Sequence, residues 1–349
     1  MAAVHRRIRR YRRYRRALPA PRVFRDRMDP LALDDNELFE RYRFRRASIL
    51  FIHDEIRGNL ERNTHRNMAL SPILSILLCL RFLATGATHL LIGDSLNISR
   101  NAAGREIRAV TSLIIRVFLR FIAFPVGEVA YRVMEGFRRI AGFPQVLGCV
   151  DGTFIKITMP SENEVDYVNR KGYHSLNVQM VCDPNFRITS LCARWPGSTH
   201  DSRVWRSSAL CHQFERGIHS GLLLGDSGYP CTHYLMTPYN VPSNRAQENF
   251  NSSLCRTRVL IEQTYGVLKK RFQCLHYGLR CSPEQAVDYI TACVLLHNIG
   301  IEKSDIFISS NCADYDFQEC INHAMNVDRI PPSNDGCRKR DEIADLFFS

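Results

Sequence analysis

The chain has 349 residues, 45% of them apolar, and carries a formal net charge of +12. That length allows one large domain or two to three smaller ones, and the charge points to a polyanionic partner. No run of 18 apolar residues occurs. Arg81, Arg116 and Arg120 break the apolar stretches near 73–84 and 113–126, so no membrane span is expected.

Residues 1–30 hold eleven Arg, no Lys and two Asp, a net +9 of the chain's +12. Eight of those Arg lie between His5 and Arg16, with Tyr11 and Tyr14 among them. The segment has no apolar h-region, so it is not a secretory signal. It lacks the Ser and the apolar face of a mitochondrial transit peptide. A disordered arm that serves nuclear import or nucleic-acid binding fits best, and a solvated tail without a specific partner is the plain alternative. Thirteen scattered Cys with no C-x-x-C pair indicate buried thiols in a reducing compartment and no zinc finger.

Residues 31–140 read as helical. Ser71 and Pro72 start one helix, which ends at Thr85-Gly86. A short helix spans Thr88 to Ser95, and Ser99 caps a longer one through Val117. Helix, short helix, tight turn and longer helix is the order of a helix-turn-helix. Its recognition helix would begin at Arg100 and present Arg100 and Arg105 to DNA. An ordinary helical packing domain has the same pattern.

Residues 145–305 change character. Short apolar runs alternate with Gly and Asp turns at 146–150, 154–158, 176–182, 188–195 and 222–224, and two long helical patterns follow at about 246–275 and 283–302. This order predicts an α/β domain, a mixed sheet with helices on its faces. Residues 306–349 read as a polar C-terminal tail with one short acidic helix near 340–348.

Three carboxylates end elements of the right type. Asp151 closes the apolar run Val146–Val150, Asp226 follows Leu222–Leu224, and Glu262 borders the apolar stripe Ile261, Tyr265, Leu268, Phe272 and Leu275 of a helix. Oxygen-only acidic sites on strand ends and a helix face hold Mg²⁺ or Mn²⁺ for phosphoryl chemistry. Each acid also has a bland reading. Asp151-Gly152 between apolar runs is a hairpin-turn signal. Asp226 fits a loop, and Glu262 fits an exposed pair with Arg258. A fourth acid, Asp201, stands three residues after Ser198 in a capping-box pattern. Arg258, Lys269 and Lys270 share a helix with Glu262 and would line a cleft for DNA. His200, His297 and Asn298 read as structural groups.

The ordered motifs carry more weight together. Gly148-Cys-Val-Asp-Gly-Thr-Phe-Ile-Lys-Ile, Tyr167-Val-Asn-Arg-Lys-Gly-Tyr-His-Ser-Leu-Asn-Val-Gln-Met-Val-Cys-Asp, Trp195-Pro-Gly-Ser-Thr-His-Asp-Ser, Leu224-Gly-Asp-Ser-Gly-Tyr, Ile261-Glu-Gln-Thr-Tyr-Gly and Val294-Leu-Leu-His-Asn-Ile resemble, in order, the motifs of Harbinger-type DDE transposases. The resemblance covers about residues 35–305 and extends to the nucleases derived from such transposases. It implies an RNase H-like fold, a divalent-metal site (Mg²⁺ or Mn²⁺) and cleavage of DNA phosphodiester bonds. Carried over, the triad is Asp151, Asp226 and Glu262, with Asp201 a further metal ligand. The 70–117 region aligns with the family's helix-turn-helix. A separate Myb-like DNA-binding protein is the partner such elements often encode, and the nucleus, with the cytoplasm also open, is the expected location. Two other outcomes stay open: an active transposase, and a domesticated DNA-binding adaptor that no longer cuts. The Arg-rich start matches nothing in the family.

Overall fold

A computed structural model describes residues 30–61, 69–305 and 333–349. The Arg-rich arm and most of the 306–349 segment lie outside the described residues.

The N-terminal part is helical. α1 (Asp35–Tyr42) opens with a capping box in which Asp34 and Glu37 satisfy each other's backbone N–H groups. α2 (Arg46–Ile56) leads to α3 (Pro72–Thr85), whose Ile76 to Leu80 are all buried. A helix apolar all round belongs at the centre of a bundle, and α3 packs against α1, α2 and α5 (Arg100–Phe118). It stops at Gly86, which takes the left-handed φ of +65°.

α4 (His89–Ser95) is capped by Thr88 and α5 by Ser99, as the sequence pattern predicts. Their turn is tight: a Cβ on Gly93 would meet the Ile98 carbonyl oxygen at 2.6 Å. The two helices pack closely in helix-turn-helix order. Arg100, Asn101, Arg105 and Arg108 are exposed on α5. α6 (Gly127–Ala141) bridges to the second part by packing on β1. No described helix is long and apolar enough to cross a membrane.

The second part is a five-stranded mixed sheet of order β3-β2-β1-β4-β5. Its strands are β1 (Val146–Lys156), β2 (Ser175–Cys182), β3 (Ile188–Pro196), β4 (Leu222–Leu224) and β5 (Leu235–Met236). β1, β2 and β3 run antiparallel to their neighbours, while β4 joins β1 in parallel and β5 joins β4 in parallel. Two short helices, α7 (Asp201–Arg206) and α8 (Ala209–Glu215), connect β3 to β4. The long α9 (Arg245–Arg271) lies across β1, β2 and β4, and α10 (Gln273–Tyr277) follows after a break at Phe272. This is the mixed α/β architecture, with a preceding helical region, that the sequence predicts.

Three expectations change. Asp151-Gly152 is not a turn: β1 runs straight through it, pairing Asp151 with Met180 and Gly152 with Gln179. The ladder to β2 satisfies the backbone there, so no reversal is needed. The helical pattern of 246–275 divides into α9 and α10. Finally, α12 (Asn334–Phe347) begins earlier than its acidic pattern suggests and packs on α9 and β5, with Tyr239 Oη donating to Asp341 at 2.6 Å.

α11 (Pro283–Glu302) ties both parts together. Arg271 is 1% exposed, over the Phe44 ring at 5.2 Å, and burial lowers its pKa to about 10. Burial and nearby Arg271 lower the pKa of His297 to about 4, so it is neutral at pH 7 and accepts or donates only within the core. Asn298 is fully buried. Its Oδ1 accepts the Ile188 N–H at 2.9 Å, and its Nδ2 donates to Ile188 O at 2.7 Å and Phe121 O at 2.9 Å. One side chain thus closes the edge of β3 and fastens it to the helical part. Asn298→Ala strands a buried N–H and carbonyls, a loss of about 2–3 kcal/mol. We expect a clearly lowered melting temperature by calorimetry, whereas an unchanged one would contradict this role.

Candidate active site

The site follows from strand register. Cys149 pairs with Leu224 on the parallel strands β1 and β4. Two positions further along each strand direction are Asp151, still inside β1, and Asp226, just past β4, so the two carboxylates come side by side where β4 ends. Asp226 is steadied by accepting the Gly228 N–H at 3.0 Å. Glu262 comes from α9, where Tyr265, one turn on, donates to the Asp151 carbonyl at 2.5 Å and locks the helix onto β1.

Asp201 is the first residue of α7, and the N-cap is His200, not Ser198. The capping box of Ser198 and Asp201 is therefore not formed. The Asp201 side chain turns to the sheet, where Oδ1 accepts from Asn177 Nδ2 at 2.7 Å. A Cβ on Gly152 would lie 2.3 Å from that same oxygen, so only glycine admits Asp201 against β1. Asn177 Oδ1 is buried without a hydrogen-bond partner among the described residues.

One cavity of about 650 Å³ gathers Asp151, Asp201, Asp226, Glu262 and Arg258, with Lys269 and Lys270 further along α9. Arg100 and Arg105 lie elsewhere, on α5. Arg258 is only 4% exposed. Its guanidinium donates to Glu262 Oε1 at 2.7 Å and stands 3.8 Å from Asp151 Oδ2. The i,i+4 pair that the sequence suggests therefore forms, but inside the site and not on a solvated face.

The electrostatics agree. Burial raises the Asp151 pKa well above the carboxylate range; Arg258 opposes this, and Asp226, Asp201 and Glu262 add to it. Asp201 is raised by burial and by Asp226, against the Asn177 hydrogen bond. Burial disfavours the Arg258 charge, yet Asp151, Glu262 and Asp226 more than offset it and leave its pKa raised. Lys269 is lowered to about 8 by burial and by Lys171, and donates to Thr153 Oγ1 at 2.7 Å.

The donors suit a hard divalent cation: they are carboxylates, with a buried unpartnered amide oxygen beside Asp201. Among the described residues, no group of three His, Cys, Asp or Glu stands ready to hold an ion. A Mg²⁺-class ion fits this, because it is held by one or two carboxylates and completes its shell with water and substrate phosphate.

Sequence reading did not single out Gly152, Asn177 or Tyr265, nor the inward turn of Arg258. Each acts through a contact made only when β1, β2, α7 and α9 meet.

Folded Asp151 holds its proton more tightly than the unfolded chain does. Its ionisation therefore costs stability once pH rises above the unfolded value, and the cost grows until the folded pKa is passed. Asp226→Asn removes one charge that raises Asp151. Without added cation, its melting temperature at neutral pH should exceed that of the parent, the gap closing as pH falls through the ordinary carboxylate range. A lower neutral-pH value would contradict a repulsive cluster.

The family model for DDE superfamily endonucleases matches residues 150–298, the stretch that contains all four acids. "Putative nuclease HARBI1" of Homo sapiens is 36% identical over 283 residues, covering 79% of this chain and 81% of the relative. The "Putative nuclease HARBI1" of Xenopus laevis is 32% identical over 331 residues, covering 92% and 94%. "Protein ALP1-like" of Arabidopsis thaliana is 26% identical over 251 residues, covering 66% and 61%. No solved structure gives a significant match. With its acids drawn to one cavity and this similarity along most of its length, the chain belongs to the Harbinger transposase-derived nucleases of the DDE endonuclease superfamily.

Proposed function

We propose that the protein is a divalent-metal-dependent endonuclease that hydrolyses DNA phosphodiester bonds, with Asp151, Asp226 and Glu262 as its catalytic acids. The observation that carries this reading is the meeting of four carboxylates in one cavity, two of them on the buried Arg258. A bound Mg²⁺ or Mn²⁺ supplies Lewis-acid chemistry, activating water and neutralising charge on the leaving oxygen. Asp151 on β1 and Asp226 just past β4 would hold it, Glu262 would complete the set from α9, and Asp201, braced by Asn177, would be the additional ligand. Arg258 keeps Asp151 and Glu262 apart from solvent and partly neutralised while no cation is held. Rigid strands and one helix suit this chemistry because small displacements of the acids are costly to it.

DNA is the partner this reading requires. α5 would lie on the duplex with Arg100 and Arg105 as contacts, Lys269 and Lys270 would serve the strand at the cavity, and a Myb-like protein would supply further recognition. We assign the protein to the nucleus on the same grounds.

Nicking of supercoiled plasmid tests the proposal. Cleavage should need Mg²⁺ or Mn²⁺, stop with EDTA, and fall by about 10²–10³-fold in Asp151→Ala or Glu262→Ala, since metal stabilisation amounts to several kcal/mol. DNA binding that persists without any cleavage, even with a partner protein present, would replace this reading with that of a DNA-binding adaptor. In parallel, Arg105→Ala should weaken duplex binding and lower the slope of log K against log salt by about 1. An unchanged slope would remove α5 from the interface.

A further inference from the structure

The cavity holds a second set of groups besides the acids. Between Asn169 and Tyr173 the chain makes a tight reversal, closed by Asn169 N–H to Tyr173 O at 3.1 Å and Gly172 N–H to Asn169 O at 2.9 Å. Gly172 takes a φ of +77°. The Asn169 side chain is buried. Its Oδ1 accepts the N–H groups of Lys171 and Tyr173, and its Nδ2 donates to Ser175 Oγ at 2.8 Å. A buried amide thus holds this loop rigid from within, while Arg170 and Lys171 project exposed at its tip and line the cavity. Neither makes an ion pair within 4.0 Å among the described residues.

Lys269 faces the same space from α9, and Lys171 is one of the charges that lower its pKa. Two cations from separate elements are therefore brought near each other at a wall of the cavity, an arrangement that an anion between them would relieve. Aromatic faces stand beside them. Tyr277 on α10 is 62% exposed, and Tyr173 also lines the cavity. Arg170 stacks over the Phe154 ring at 5.9 Å. Lys156 lies over the Tyr173 ring at 6.0 Å, so Tyr277 is the exposed ring of the set, and cations beside an exposed ring are how proteins hold single strands, phosphates on the charges and bases on the ring. A cavity of about 650 Å³ is on the scale of a small-ligand pocket. Its cations and the exposed Tyr277 ring suit one strand whose bases are unstacked.

We propose that the Asn169–Tyr173 loop, Lys269 and Tyr277 form a clamp for one unpaired DNA strand, so that the substrate is DNA locally opened at the scissile position. The proposal rests on the endonuclease reading for its chemistry but not for its binding test. Arg170 and Lys171 would hold phosphates leading to the acids, and Tyr277 would stack on a base.

The full chain, in EDTA, should be titrated by fluorescence anisotropy against three labelled probes of one sequence: a single strand, a splayed-arm duplex and a blunt duplex, each over a series of NaCl concentrations. The splayed-arm probe should bind about tenfold tighter than the blunt duplex, the scale of one or two base stacks. Arg170→Ala with Lys171→Ala should erase most of that preference and lower the salt slope for the single strand by about 1.4, or 0.7 for each phosphate released. The blunt duplex should be unaffected. Tyr277→Ala should reduce the preference with an unchanged slope, and Lys171→Arg should retain both. Equal binding of splayed and blunt probes by the parent protein, or an unchanged preference and slope in the double variant, would overturn the clamp. Because Asp151→Ala can be titrated in the same way, a protein that prefers opened DNA yet never cuts keeps the clamp and loses only the endonuclease.

Discussion

Like charges repel, and this fold brings four of them to one place. Asp151, Asp201, Asp226 and Glu262 face a single cavity, and burial takes from Asp151 and Asp201 much of the water that would screen them. Arg258 is the compensating charge. It is nearly inaccessible, and its position between Glu262 and Asp151 lets α9 approach the sheet at all. A buried charge of this kind contributes little net stability by itself. Its value is positional: it fixes the distance and angle at which the helix-borne acid meets the strand-borne one.

The surrounding scaffold holds that arrangement at points of close approach. Gly152 yields its side-chain space to Asp201, Asn177 braces Asp201 from the next strand, and Tyr265 bonds the backbone of Asp151 itself. At the other end of the domain, Asn298 and Arg271 link α11, β3 and the helical part. The helical part is therefore joined to the sheet through a continuous core, which fixes where α5 stands relative to the acids.

The same cavity sorts charge by position. The acids cluster beside the middle of β1, where β4 ends, and the cations come from α9 and from the loop braced by Asn169. On the proposed reading this separation would be useful: the cations would attract a phosphate backbone, and the acids, which would repel it, would need a divalent cation to accept it, so metal and nucleic acid would favour each other's binding.

Much of this was legible in the chain itself. The cap at Ser99, the stop at Gly86 and the bounds of α11 depend on neighbouring residues only, and local rules locate them, although Ser71, read as a cap, makes no side-chain capping hydrogen bond. The position of Asp226 just past β4 and the helical position of Glu262 were legible for the same reason, whereas Asp151, read as closing a strand, lies inside β1. Other features are settled by partners far away in sequence. Whether Asp151-Gly152 turns or continues depends on β2 being there to pair with it. Whether Asp201 caps a helix or faces the site depends on Asn177 and on the missing Cβ of Gly152. Whether Arg258 and Glu262 form a solvated pair or the centre of the site depends on which face of α9 the sheet covers. Local sequence determines which elements form, because their hydrogen bonds close within a few residues. Only tertiary packing decides which side chains lose their water and meet, because that is set by contacts between residues from 24 to 114 positions apart.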